Sequence, residues 1–410
     1  MPDPAQTETP DTRKPALAGV RVLDLATFVA APFAATLMSE FGAEVIKVEH
    51  PQGGDPWRRY GTPTEDGDSL AWKSESRNKR SLTLDLGDPR GREVFKRLAA
   101  SADVVAENFR PGKLESWELG WDTLGEVNPR LVLLRVSGYG QTGPYRDRPG
   151  FARIAHAFGG LTHLAGMPDG PPVTPGSTSL ADYITGLFGA VGVLVALRAR
   201  DRDGVGQVVD VSLYESIFRV LDEIAPAYAA TGRVRGREGL KTLYACPHGQ
   251  YETADGHWIA VACTSDRMFA RFAGMMDRPE LASPESFGSI QNRLAAFEEV
   301  DGIVTGYIRS VTREAFLARC LAFGVPAAPV NTIADIFADP HVAERGTLLE
   351  VPDGHGGTIT VPNVVARLSD TPGEVRTTGP ALGEGTDTLL RELGGLSDDD
   401  IRALRAAGVT

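Results

Sequence analysis

The stretch Val20–Val48, VRVLDLATFVAAPFAATLMSEFGAEVIKV, decides the fold class. Its first six residues form a short apolar run with the length and β-branched content of a buried strand. Phe33–Phe41 then shows helical spacing, and Glu44–Val48 is a second apolar run, so the stretch predicts a βαβ unit. The alternation continues outward. Ser81–Asp85 reads as a strand, Pro89–Ala100 as a helix, and Asp103–Glu107 and Leu131–Ser137 as further strands. A helix over about Leu180–Arg200, a strand at Gln207–Leu213 and a helix over Tyr214–Ala230 complete the series. Strands alternating with helices imply a largely parallel sheet covered on its faces, an α/β fold.

Beyond this region the pattern changes. Thr231–Lys241, TGRVRGREGLK, is rich in Gly and Arg and reads as a linker or mobile loop. Gln250–Cys263 predicts a hairpin turning at Asp255-Gly256, followed by three amphipathic helices and the apolar segment Gly324–Val330, together a smaller α+β unit. Near the C-terminus, Gly354–Gly357 marks another hairpin, and Ser397 with Asp400 has the spacing of a capping box that opens the last helix. The expected organisation is a tail over 1–14, a large Rossmann-like domain over 15–225 and 335–410, and a small domain over 240–330.

Composition narrows the function. A 410-residue chain with 42% apolar and 23% charged residues can bury a sizeable core, and its length favours two domains. The net charge of -12 speaks against nucleic acid or an anionic membrane as partner, since both demand a dense positive surface. Cys246, Cys263 and Cys320 are widely spaced and odd in number, which indicates neither a disulfide framework nor a thiolate metal site and fits the reducing cytoplasm. The N-terminal residues lack the apolar core of a secretion signal, and the Gly186–Leu197 run is short of the roughly 20 residues that span a bilayer, so a soluble protein is expected.

Gly138–Gly143, GYGQTG, matches GxGxxG directly after a predicted strand. Dinucleotide binding also needs a helix opening at that point, and Pro144, Arg146, Asp147, Arg148 and Pro149 follow instead. A tight loop beside a substrate is the better reading. The seven histidines show no metal-ligand spacing, and neither a GxSxG elbow nor a phosphate-binding P-loop occurs. His156 and His163, seven apart, read as hydrogen-bonded structural residues. Gly176–Tyr183, GSTSLADY, leads into a long apolar helix with Ser179 placed as N-cap and Asp182 three positions later. The plain reading of that spacing is a capping box. The same place, near the positive end of a helix, also favours an ionised carboxylate, which covalent carboxylate catalysis requires. Arginines recur at Arg58-Arg59, Arg110, Arg146 with Arg148, Arg153, and Arg233 to Arg237, and spacing alone does not separate ligand contacts from solvated ion pairs.

From about Leu17 to the C-terminus, the chain resembles the class III CoA-transferase family. The resemblance is carried, in order, by LAGVRVLDL with Pro32, FGAEVIKVEHPQGGDPWR, NKRSLTLDL, ADVVAENFRPGKLE, NPRLVLLRVSGYGQTGPY, LADYITGL and GQVVDVSLYES. It implies a nucleophilic aspartate at Asp182 and a coenzyme A site at strand ends around Val29, His50, Leu84, Asn108, Phe109, Arg110 and Tyr139. Apart from the resemblance, Gly138 and Gly140, whose glycine-rich loop permits close approach, and Arg153, a guanidinium able to hold a second carboxylate, are substrate-side candidates. The chain departs from the family at Thr27 and Val29, where members often offer His and Gln, and at His50 or Ser116, where an Arg is frequent. Arg110 and Lys113 are then the candidate phosphate contacts. Cys246–Gln250 occupies the stretch comparable to a glycine loop that covers the site in formyl-CoA transferase.

The implied reaction moves CoA between carboxylic acids, with coenzyme A as substrate, no permanently bound cofactor and no metal. Gly150–Tyr183 looks closest to the succinyl-CoA:malate, citramalate and mesaconate transferases, so the expected donor is succinyl-CoA and the acceptor a C4 or C5 dicarboxylate such as malate, citramalate, mesaconate or itaconate. An interlocked homodimer is also implied. Two rivals are an acyl-CoA racemase and a non-catalytic CoA-binding protein. Racemase relatives use a His and Asp pair where this chain has Phe151 and Ala152, neither of which carries a proton, and a mere binding protein has no reason to keep an ionisable group at 182.

Overall fold

The structure, a computed structural model, describes residues 13–176 and 178–410. Of the expected tail over 1–14, all but Arg13 and Lys14 lie outside the described residues.

Two compact units are present. The first comprises the described residues up to Leu161 together with Gly176–Glu223 and Ala343–Thr410, and the second Thr162–Pro175 with Ile224–Val342. Thr231–Lys241, read from sequence as a linker or mobile loop, lies inside the second unit.

The first unit is built on six parallel strands: β1 (Arg21–Asp24), β2 (Glu44–Glu49), β3 (Lys79–Thr83), β4 (Val104–Glu107), β5 (Val132–Ser137) and β6 (Gln207–Ser212), in the order β3-β2-β1-β4-β5-β6. This is the doubly wound order, in which the strand sequence reverses between β1 and β4. Connections on either side of that point run to opposite faces, leaving a crevice at the carboxyl ends of the two strands.

Strand residues alternate between two cores. Val22, Val45, Val104, Val132 and Leu134 face helices α1 (Ala30–Glu40) and, further along the chain, Leu180–Asp203. Leu23, Ile46, Leu82, Val105 and Leu133 face the Pro89–Ala99 helix, α2, and the C-terminal residues Leu389, Leu390, Ile401 and Leu404. Burial on both faces is why these strands are near-continuous apolar runs.

Two further helices of this unit are α3 (Ala152–Phe158) and α4 (Leu180–Asp203), the latter packing on α1, β5 and β6. Contact with α1 depends on Gly186, where a β-carbon would stand 2.7 Å from the Ala30 carbonyl oxygen and 3.1 Å from Phe33 Cβ. By length and composition α4 is apolar enough to cross a membrane, although the sequence suggested an apolar run too short for that. Here one stripe of it, including Thr185, Gly189, Val193 and Leu197, is buried in the unit. The opposite stripe, Leu187, Val191, Leu194 and Val195, is exposed.

The single helix expected over Tyr214–Ala230 is two, α5 (Leu213–Arg219) and α6 (Ile224–Thr231). Asp222 adopts φ +59, a left-handed conformation that interrupts the helical ladder where the chain leaves the first unit.

The second unit holds an antiparallel sheet, β7 (His248–Glu252), β8 (Trp258–Ala262) and β9 (Ala327–Pro329), with the expected hairpin between the first two. Four α-helices, not three, lie between β8 and β9: Asp266–Met275, Ile290–Ala295, Phe297–Ile308 and Arg313–Phe323. One of the four, Ile290–Ala295, is a six-residue helix capped by the Ser289 side chain. Phe269, Phe272, Val304, Ile308 and Phe316 form this unit's core with the buried Cys246, Cys263 and Cys320.

Candidate active site

At the crevice between β1 and β4, Asn108 follows β4 directly and holds both diverging loops. Its Oδ1 accepts the Thr27 N–H at 2.8 Å and its Nδ2 donates to the Thr27 carbonyl at 2.7 Å. Two adjoining cavities open on either side, sharing Thr27 and Phe109 as walls.

One cavity, of ≈ 230 Å³, is lined by the Thr27–Ala30 turn, Asn108–Pro111, Gly138, Gly150, Phe151 and Asp182. The other, of ≈ 350 Å³, is lined by His50, Leu84–Gly87, Phe109, Lys113 and Trp117. Of the residues singled out from sequence, Val29, Asn108, Phe109, Arg110, Gly138 and Asp182 meet in the first, and His50, Leu84, Phe109 and Lys113 in the second. Tyr139, Gly140 and Arg153 line neither. Tyr139 turns into an aromatic cluster with Tyr145, Phe158 and Tyr214, Gly140 sits in the loop with φ +88, and Arg153 lies on the exposed side of α3.

Gly138 has a packing role: a β-carbon there would stand 2.8 Å from Gly150 Cα, so the two glycines let opposite walls of the first cavity touch. His50 is engaged within the protein. Its Nδ1 accepts the Gln52 N–H at 3.0 Å and its Nε2 lies 3.7 Å from Asp85.

Asp182 stands on the first turn of α4 with its carboxyl group at the first cavity. The expected capping box is not formed, since the Ser179 side chain makes no cap hydrogen bond. Among the described residues no side chain hydrogen-bonds or ion-pairs with the Asp182 carboxyl group. Burial pushes its pKa up to about 7, against the expectation that the helix end would favour the ionised form. Arg110, Arg146 and Arg148 line the same cavity without pairing to it. Arg148 stacks its guanidinium 3.5 Å from the Tyr145 ring centroid, and Arg146 lies 3.5 Å from Asp147.

Buried charges missed at the sequence level hold the loops that carry these groups. Phe28 has φ +60, and its N–H donates to Asp55 Oδ1 at 3.0 Å. The other Asp55 oxygen is 3.0 Å from Lys47 Nζ, which also donates to the Ala26 carbonyl and neighbours Asp24. Asp24 in turn receives Lys79 Nζ at 3.0 Å. Across the crevice, Glu107 accepts the Phe109 N–H and the Arg135 Nε, each at 2.7 Å. Burial raises Glu107 to about 7, with Arg135 pulling the other way. The available signal was a charged residue inside an apolar strand: Asp24 in VLDL, Lys47 in VIKV and Arg135 in LLRV.

The model of CoA-transferase family III matches residues 17–386 of this chain. The chain belongs to that family. This transferase is 57% identical to the beta subunit of succinyl-CoA–L-malate CoA-transferase from Chloroflexus aurantiacus, over 96% of the chain and 98% of the relative. It is 51% identical to an alpha subunit of the same name from that organism, over 98% and 95%. Among solved structures, a CaiB/BaiF family protein from Brucella suis superposes with TM-score 0.81 at 32% identity, over 93% of this chain and all of that one. The transferase thus has the mixed α/β fold of the family and acts on CoA thioesters and carboxylates.

Proposed function

We propose that the transferase moves CoA from succinyl-CoA to a C4 or C5 dicarboxylic acid, with malate the leading acceptor, through covalent chemistry at Asp182. The observation that carries this reading is one cavity holding a carboxyl group that has no side-chain partner among the described residues, together with three arginines that do not pair with it. The similarity to malate transferase subunits supports the same substrate class.

In this reaction the Asp182 carboxylate attacks the succinyl thioester carbonyl, and collapse of the tetrahedral adduct expels CoA thiolate and leaves an aspartyl–succinyl anhydride. The thiolate attacks the aspartyl carbonyl, forming an aspartyl-CoA thioester and releasing succinate. The acceptor carboxylate then attacks that thioester, and the freed thiolate attacks the acceptor carbonyl of the new anhydride, releasing acceptor-CoA and the free carboxylate. CoA enters and leaves as substrate, and no permanently bound cofactor takes part.

Succinyl and malyl groups each keep a second carboxylate while the first reacts. A guanidinium gives that carboxylate a bidentate partner in both half-reactions, which Arg110, Arg146 or Arg148 is placed to supply. The coenzyme lies along the second cavity, with Lys113 near its phosphates and Leu84 and Phe109 as apolar walls. The working form is a homodimer in the cytoplasm.

Two measurements test the reading. Incubation with succinyl-CoA alone is expected to give a CoA-mass adduct on the peptide containing Asp182, by mass spectrometry. With acceptor added, kcat/KM for malate is expected to exceed that for oxalate and monocarboxylates. An adduct elsewhere overturns the nucleophile, and a preference for oxalate or monocarboxylates overturns the acceptor.

A further inference from the structure

His156 is a buried titratable group that the reaction above leaves unused. It lies on α3, 1% exposed, and its Nε2 accepts the N–H of Ala181 at 2.9 Å. Ala181 is the second residue of α4, immediately before Asp182. Ser179, in the place of a conventional side-chain cap, makes no such bond, so the imidazole supplies what Ser179 does not.

The bond constrains the chemistry of the ring. A ring nitrogen that accepts an N–H carries no proton, so His156 is neutral and protonated on Nδ1. Among the described residues Nδ1 has no hydrogen-bond partner. An imidazolium would present a donor to the Ala181 N–H and add positive charge at a helix N-terminus, which is repulsive on both counts. Burial and the charge of Arg153 both act in the same sense, lowering the His156 pKa.

The bond also has a consequence for Asp182. The Asp182 N–H donates to the Ser179 carbonyl at 2.9 Å, so it and the Ala181 N–H together set the first turn of α4. On the other side, α3 begins just after Phe151, which forms part of the same cavity wall. One imidazole therefore ties the wall bearing Phe151 to the turn bearing Asp182.

We propose that His156 is a positioning residue for CoA transfer: as a neutral Nδ1–H imidazole it holds the first turn of α4 against α3 and so sets the approach of the Asp182 carboxylate to the thioester carbonyl. This rests on Asp182 as the nucleophile. Misplacing a reacting group by about 1 Å costs on the order of 100-fold in rate, so a tether one residue away acts on kcat more than on substrate binding.

The test compares His156→Leu, which keeps bulk but accepts no hydrogen bond, with His156→Gln, whose amide oxygen accepts one and does not titrate. Single-turnover formation of the aspartyl-CoA adduct from succinyl-CoA is expected to slow about 10-fold or more in His156→Leu, with KM within about 2-fold, and to recover largely in His156→Gln. Wild-type rates in His156→Leu, equal losses in both variants, or a loss confined to KM each overturn the proposal. Selective 15N-histidine NMR of the wild-type enzyme at pH 7.5 decides independently of how either variant folds: Nδ1–H is expected, and an Nε2–H tautomer or an imidazolium overturns the assignment. Absence of any adduct on Asp182 in the wild-type enzyme would instead remove the nucleophile, and is read separately.

Discussion

Asp182 is subject to two opposing effects, and burial prevails. The helix end favours the anion by roughly 0.3–1 kcal/mol, whereas removal from water works against it and takes the pKa to about 7. With its folded-state value above the unfolded 3.8, Asp182 holds more proton in the native protein than in the unfolded chain between about pH 4 and pH 7. The contribution of Asp182 to stability therefore falls as pH rises through that window. Asp182→Asn removes the penalty. The variant is expected to melt higher than wild type at pH 8, to match it near pH 4, and to be inactive at both. A working capping box would give the opposite sign, a loss of about 1 kcal/mol on substitution. Thermal melts at the two pH values check this. The same titration is expected to give kcat/KM an acidic limb with an apparent pKa near 7, which a pH–rate profile in saturating acceptor would show or refute.

At the scale of elements, the contact between α1 and α4 places the Thr27–Ala30 turn opposite Asp182. Gly186 makes it possible, because the nearest atom facing its missing side chain is a backbone carbonyl that has little freedom to move. Gly186→Val is expected to force the helices apart at a cost of about 1–3 kcal/mol and to lower kcat disproportionately, since both helices carry cavity residues. Urea unfolding with parallel kinetics is the check. A fall in midpoint with unaltered kcat would show that this helix contact supports the fold without shaping the cavity.

For the whole molecule, the informative surface is the exposed stripe of α4, where Val191 and Val195 are 58% and 64% accessible and Leu187 and Leu194 lie beside them. A contiguous apolar stripe on a long helix is costly to leave in water. A second copy of this chain is the expected cover. Light scattering is expected to give twice the 43.8 kDa chain mass at micromolar concentration. Val191→Glu combined with Val195→Glu is expected to shift the protein toward monomer. A wild-type monomer would reject the assembly, and an unchanged dimer in the double variant would place the interface elsewhere.

The sequence by itself determined the parallel sheet, because strands buried on both faces must be apolar along their length. It also determined the turns at Asp255-Gly256 and Gly354–Gly357, where local backbone chemistry suffices. The family motifs led to Asp182 and to the Asn108 clamp. Tertiary structure decided what those groups experience. The same spacing of Ser and Asp forms a capping box at Ser397 and Asp400, on an exposed helix start, and forms none at Ser179 and Asp182. At the second site a histidine 25 positions away from Ala181 in the chain takes over the N–H, and burial alters the carboxyl group. Capping, pKa and the placement of Arg146 and Arg148 depend on which segments meet at the crevice, and that meeting is made by packing between residues far apart in the chain.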